Sequence, residues 1–514
     1  MGNLRALTNE SEILGSRGNT LTAGIFALVV GFAVYSVYQL FLHPLRQLPG
    51  PLWARVSSTY LRWTEIHKDR APKRLLKLHR QYGPVVRVGP NEVSISDPTA
   101  YRDIYTNRAN LKEARFYTPF KFLGLGNVFA SVDPSDHAAR RKMMSIPFSH
   151  QQVISNEQMI AGRVETFIQR ILERARASHT GTVEVYELCG LLSLEVICRL
   201  SFNYDFTQDP EASHTLLKAL EGSALAMFLN TIFPFLRTAS FGTKLPGAVG
   251  RAYQSFKIRE KMTGDMLASL RDQEIDAAAM KSFVAAPLLL QTNKEMGRTY
   301  TFAEATEEAM GIAVAGSGVT EHTMFYFMYA LSRPENRHVQ DRLRKEVLST
   351  GTSFAEVSVL PYLTAVMKEI YRLYPAIMST LPRILASPLD IKSQNVVLPP
   401  GTVVGMQNYV HHRETQLFPS PDRFIPERWL EDEKSSYKSD LKAMDSAVTP
   451  FSLGSRNCAG QTLAKVQLYL AFSQLLRRVD FSLNNGMKDD DMAMLDLWAV
   501  SPKAKKLVLD IKVD

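Results

Sequence analysis

A mainly helical α+β domain behind one membrane-spanning helix is the fold that this 514-residue sequence predicts. Three observations lead there. Residues 21–42 form an uncharged, mostly apolar run, residues 82–97 alternate and turn like a β-hairpin, and helical periodicity dominates from there to a glycine-rich turn at 451–460.

The apolar run is 22 residues long. That length spans the ~30 Å hydrocarbon core of a bilayer. It is too long for a signal-peptide core, and no small-residue cleavage site follows it. A basic stop and Pro/Gly hinge come next, at His43-Pro-Leu-Arg46-Gln-Leu-Pro49-Gly50-Pro51. Arg46, Arg55, Arg62, Lys68, Arg70, Lys73 and Arg74 crowd the following segment, against Arg5 and Arg17 before the span. By the positive-inside rule the bulk of the chain is cytosolic and the short N-terminus luminal. Asn9-Glu10-Ser11 is then a glycosylation sequon on the luminal side. The expected organisation is a luminal tail at 1–20, an anchor at 21–42, a hinge at 43–51 and one catalytic domain at 52–514.

Within that domain, amphipathic helical runs stand out at 154–177 and 337–348, and a second small strand region at 389–404. Thr301-Phe-Ala-Glu304 is a capping box that opens a long helix ending at Ser332, before Pro334. Ala315-Gly316-Ser317-Gly318-Val319-Thr320 interrupts it with glycines that cost helix stability without an evident packing gain. There are no internal repeats or low-complexity tracts.

The formal net charge is +9, but no basic run clusters with base-stacking aromatics, which argues against nucleic acid as a partner. Three cysteines, with no CxxC pair and no Cys/His cluster, exclude a disulfide scaffold and a structural zinc site. Cys189 and Cys198 lie in the apolar helical run 188–200 and read as core. Cys458 keeps different company. Gly454 and Gly460 remove side chains on both flanks, Arg456 puts a positive charge two residues away, and an apolar helix follows at 462–476. A sulfur at a helix N-terminus beside a cation is favoured as the metal-binding thiolate.

Phe451, Gly454, Arg456, Cys458 and Gly460 together resemble the haem-binding loop, FxxGxRxCxG, of the cytochrome P-450 family. The resemblance covers nearly all of the chain beyond the hinge. It implies the cytochrome P-450 fold, with a small N-terminal β region, and haem b (iron protoporphyrin IX) with Cys458 as axial ligand to its iron. A thiolate in that position pushes electron density onto the metal and favours O–O cleavage. Glu369 and Arg372 match the family's ExxR pair, and Pro426-Glu-Arg428-Trp429 resembles its PERF segment. The implied triad Glu369, Arg372 and Arg428 is structural. His137-Ala-Ala-Arg140-Arg141 resembles WxxxR, with His137 in the Trp position and Arg141 in the Arg position. Arg383 resembles the Arg beyond the ExxR helix. With Arg456, these residues are implied partners of the haem propionates, because a guanidinium fork can bind both carboxylate oxygens.

The glycine-rich stretch resembles the family's AGxDTT, where an acid and a Thr relay protons through a local widening of the helix. Here Gly318 stands for the acid and Val319 for the first Thr. Gly316, Val319 and Thr320 are therefore the catalytic candidates, with Thr320, Glu321 or a substrate hydroxyl as replacement donors. Phe116, Tyr117 and Phe120, from the family's B–C loop, and Ala315 and Thr380 are the expected pocket residues. The apolar segment 226–237 fits a lipophilic substrate delivered from the bilayer.

The resemblance implies a fungal, endoplasmic-reticulum monooxygenase. NADPH would reach it through NADPH–cytochrome P-450 reductase, with cytochrome b5 as a further donor. Positive net charge suits both an anionic membrane and an acidic redox partner. The implied substrates are of terpenoid, polyketide or alkaloid type. The altered relay keeps a second class open: a haem-thiolate protein that isomerises, dehydrates or couples radicals without inserting oxygen, or one that only binds haem.

Overall fold

The computed structural model describes residues 23–58, 71–237, 240–273, 279–431, 440–497 and 499–512. The Asn9 sequon and the basic residues Arg5, Arg17, Arg62, Lys68 and Arg70 lie outside them.

Ala23–Leu42 is one helix, apolar and long enough to cross a membrane. Its last turn, Tyr38–Leu42, widens to a π-helix. That end is seated on the domain: Arg87 donates to the Gln39 carbonyl at 3.0 Å and to Gln39 Oε1 at 2.6 Å, and both residues are buried. The segment 43–51, expected as a hinge, is packed as well. Leu45 and Leu48 share a core cluster with Val85, Val93 and Ile95. A Cβ on Gly50 would lie 2.2 Å from the Arg87 carbonyl oxygen.

The hairpin forms as strands β1 (Val85–Gly89) and β2 (Glu92–Ile95). They join β3 (Leu111–Lys112), β4 (Arg383–Ile384) and β5 (Val403–Met406) in a sheet of order β1-β2-β5-β4-β3. Only β2 and β5 run parallel. This order brings residues far apart in sequence together, setting Lys112 opposite Arg383. The strand region at 389–404 resolves into a small hairpin, Leu389–Ile391 with Val396–Leu398, and the start of β5.

Six helices carry or frame the site: α1 (Pro134–Met144), α2 (Tyr186–Phe202), α3 (Pro210–Gly222), α4 (Phe302–Ser332), α5 (Pro361–Leu373) and α6 (Gln461–Arg478). The amphipathic runs form Glu157–Ala177 and Arg337–Leu348. α4 is the axis of the core. Thr301 and Glu304 close its capping box, and Phe327 stacks on Phe472 of α6 at 3.5 Å.

α4 runs through the glycine-rich stretch as unbroken α-helix. Here the structure departs from the expected interruption, and the reason is packing. A Cβ on Gly316 would lie 2.2 Å from Ile197 Cγ1 of α2, so this glycine lets two core helices approach closely. Dispersion gained along that contact offsets the propensity cost. Gly318 is different. A Cβ there would meet Ala499 Cβ at an ordinary 3.6 Å.

Candidate functional site

Phe451 to Gly460 forms a loop ahead of α6. The Cys458 N–H donates to the Phe451 carbonyl at 2.9 Å, and the Cys458 side chain is exposed. Gly454 has φ 74°, and a Cβ there would lie 2.5 Å from the Tyr105 carbonyl oxygen. This glycine serves a close backbone approach inside the protein rather than the approach of a ligand. Gly460 meets only Phe148, at 3.8 Å.

The Cys458 thiol is open by surface area yet deep among protein atoms, and that enclosure pushes its pKa above the ordinary value. The Gly460 N–H and the Arg141 guanidinium pull the other way. Arg456, the cation expected to favour the thiolate, spends its donors on the carbonyls of Ser131 at 2.9 Å, Val132 at 3.1 Å and Asp133 at 3.3 Å. Arg141 reaches the loop from α1, bonding Asn457 O and Oδ1 at 3.0 Å each.

A cluster of cations adjoins this loop. Lys112, His137 and Arg456 are lowered first by burial and then by cationic neighbours among Lys112, Arg141, Arg383 and Arg456. Burial, then Arg456 and its neighbours, holds His137 down to about 3. Burial and Arg383 lower Arg456 to about 10. Lys112 is buried and held well below its usual value, its ammonium donating to the Phe129 carbonyl at 2.5 Å and lying 4.5 Å from the Tyr117 ring centre. Among the described residues, no carboxylate forms an ion pair with Lys112, Arg141, Arg383 or Arg456. Asp133 and Asp136 act on Arg456 without forming an ion pair, and buried charge without a paired counter-ion is costly. The donor set therefore fits a ligand carrying two carboxylates, as haem does. Lys112 carries no motif in the sequence; only the pairing of β3 with β4 brings it here.

On α5 and the turn Pro426–Trp429, Glu369, Arg372 and Arg428 are all buried and joined. Glu369 accepts from Arg372 Nη2 at 2.8 Å, Arg372 Nε at 2.9 Å and Arg428 Nε at 3.2 Å. It also accepts from the Ile425 N–H and the Trp429 indole, both at 2.9 Å. Trp429 is a partner that the motif reading did not include.

A cavity of about 350 Å³ lies on the other side, along α4. Phe116, Phe120, Val314, Ser317, Gly318 and Glu321 are on its wall. Tyr117 is not; it is buried and accepts a hydrogen bond from Arg383 at 2.6 Å. Thr380 also turns away, its methyl 2.2 Å from where a Cβ on Gly405 would stand, and Ser379 takes the wall position. Thr320 is buried off the wall and Val319 half-buried, because an unbroken helix aims them elsewhere. Ala315 is exposed in the middle of an otherwise largely buried helix. Arg259, Glu321, Asp496 and Lys505 are ionisable wall residues. Of these, sequence reading weighed only Glu321.

A cysteine loop beside basic residues that have no ion-paired carboxylate among the described residues, a buried Glu–Arg–Arg cluster and a cavity against a long core helix fit a haem-thiolate oxidoreductase. The chain belongs to the cytochrome P-450 family, whose profile matches residues 49–509. It is 28% identical over 498 residues to the cytochrome P-450 monooxygenase tazI of Aspergillus terreus, covering 95% of this chain and 98% of that one. It is 29% identical to the cytochrome P-450 monooxygenase TRI4 of Fusarium sporotrichioides, with 93% and 91% covered. Identity to the averantin hydroxylase of Dothistroma septosporum is 27%, with 94% and 90% covered. The fold is similar to that of retinoic acid bound cyanobacterial CYP120A1, with a TM-score of 0.67, 19% identity, and 86% and 94% covered.

Proposed function

We propose that this enzyme inserts oxygen into a lipophilic small molecule of terpenoid, polyketide or alkaloid type in fungal secondary metabolism. It works at the endoplasmic-reticulum membrane with haem b, and with electrons from NADPH delivered by a partner reductase. The observation that carries the reading is the cluster of basic residues beside the Cys458 loop, which has no ion-paired carboxylate among the described residues. Arg141, Arg383, Arg456 and Lys112 would hold the propionates, and Cys458 the iron. The bound haem would supply dioxygen activation.

The chain's own residues do the rest. Phe116 and Phe120 give the cavity an apolar wall that excludes water and orients a hydrophobic substrate. Phe228, Phe233, Phe235 and Phe241 are exposed near that wall's helices, as are Leu52 and Trp53 beside the anchor. Apolar surface of this kind supports entry of substrate from a bilayer. The test is turnover by the full-length protein with purified reductase, NADPH and labelled dioxygen, over a panel of terpenoids, polyketides and alkaloids. Label in a product supports the reading. Conversion without label overturns it in favour of isomerisation, dehydration or radical coupling.

A further inference from the structure

We propose that Glu321 is the proton-holding acid of the substrate cavity, standing one helical turn beyond the position where α4 carries Gly318. This rests on the monooxygenase reading above. Residues three apart on a helix share a face, and Gly318 and Glu321 both line the cavity wall. The absence of a side chain at Gly318 keeps the path along that face clear, since its nearest neighbour beyond the helix is Ala499.

The other hydroxyls on this stretch are committed. Ser317 donates its proton to the Ala313 carbonyl at 2.8 Å, and Thr320 is buried away from the wall. Glu321 is held in place instead. Its carboxyl carbon lies 3.3 Å from where a Cβ on Gly190 of α2 would stand, beside Leu217 of α3. Tyr186 of α2 lies near enough to lower the Glu321 pKa, with its hydroxyl 3.4 Å from Ser501 Oγ.

The groups that face Glu321 favour its neutral form. Burial acts first; Glu221 of α3 and Glu184 oppose its ionisation, and Lys505 and Tyr186 compensate only in part. Cys189 of α2 also feels its charge. With its pKa pushed well above the ordinary carboxylate value, the side chain holds its proton longer than an exposed glutamate and can give a proton that a glycine or valine cannot. In the transfer, the Glu321 O–H bond breaks and an O–H bond forms on a water or hydroxyl oxygen in the cavity, leaving a carboxylate. No electrons change hands. Solvent restores the proton past Glu221 and Lys505, an ion pair at 3.3 Å whose side chains are partly exposed. Both line the same cavity.

The experiment uses the haem-loaded full chain and needs no organic substrate. Infrared difference spectra at neutral pH should contain a protonated-carboxyl band that Glu321→Gln removes and Glu321→Asp shifts. With purified reductase, NADPH and dioxygen alone, the share of electrons recovered as peroxide rather than water should rise several-fold in Glu321→Gln and fall back in Glu321→Asp, as for loss of a general acid. Tyr186→Phe should move the band without abolishing it, and stands in if Glu321→Gln fails to fold. An unchanged infrared band in Glu321→Gln overturns the proposal, and so does a lost band with unchanged peroxide yield. Failure of the monooxygenase reading shows separately, as unlabelled product from the wild type.

Discussion

Two buried glutamates, Glu369 behind the cysteine loop and Glu321 on the cavity wall, have opposite electrostatic fates. Glu369 accepts five hydrogen bonds, and the two guanidiniums beside it hold it below the usual carboxylate range despite its burial. Glu321 has one tyrosine, a partly exposed lysine and two like charges, and burial wins. A carboxylate surrounded by donors is a structural cross-link; one left short of them is a store for a proton. The Glu369 side is saturated and rigid, while the Glu321 side keeps chemical potential unspent.

The largest way to test the contrast is at the proposed metal ligand. Cys458→Ser should abolish the reduced carbon-monoxide absorbance band of a thiolate haem while leaving the cation cluster intact. An unchanged band would remove Cys458 from the site. Next comes Glu369→Gln, which strands two buried guanidiniums. Breaking a buried pair from one side costs about 3–5 kcal/mol, readable as a fall in the denaturation midpoint together with haem loss. A midpoint close to wild type would mean that the backbone carbonyls bonded to Arg372 and Arg428 suffice.

A smaller effect separates the two glycines of α4. Gly316→Ala drives a methyl into Ile197 and should cost about 1–3 kcal/mol, partly relieved in a double mutant with Ile197→Ala. Gly318→Ala meets only ordinary contact and should stay within about 0.5 kcal/mol. Equal gains at both positions would show that helix propensity, and not helix approach, is what they share.

That pair also marks where the sequence is legible. The capping box, the hairpin, the 337–348 helix and the helical periodicity are local signals and read directly. Cys458, Glu369 and Arg372 read because they sit in spaced motifs. Lys112 and Trp429 do not: each acquires its role through a partner far along the chain, Arg383 across the sheet and Glu369 across the core. The packing role of Gly316 is hidden for the same reason, since its neighbour Ile197 is on another helix. Tyr117, expected in the pocket from the B–C loop resemblance, and Thr380 stand next to the wall residues Phe116 and Ser379, but adjacent side chains turn to different sides. Composition marks 43–51 as a basic Pro/Gly hinge, and only the fold shows its Leu45, Leu48 and Gly50 packed against the hairpin.

The last expectation is a pH slope. Glu321 unfolded titrates near the ordinary glutamate value of 4.5, and folded well above it. Between those values the unfolded chain has released a proton that the folded one keeps. Stability tied to this group is therefore full below about 4.5 and is lost as pH rises toward the folded value, by at most about 1.4 kcal/mol per pH unit. Glu369 has the reverse sign: its contribution is full above 4.5 and is lost as pH falls through its depressed folded value. Glu321→Gln removes the first dependence and keeps the second. Its stability relative to wild type should thus climb as pH rises from about 4.5 toward the raised folded value, while the acid limb of both proteins stays common. Glu184, Tyr186, Glu221 and Lys505 face the group and respond to the substitution; every more distant titration cancels in the difference. Denaturation midpoints for the two proteins at matched ionic strength give the answer. Parallel curves would mean that Glu321 ionises as freely folded as unfolded, and the contrast between the two glutamates would then reduce to a difference in hydrogen-bond count.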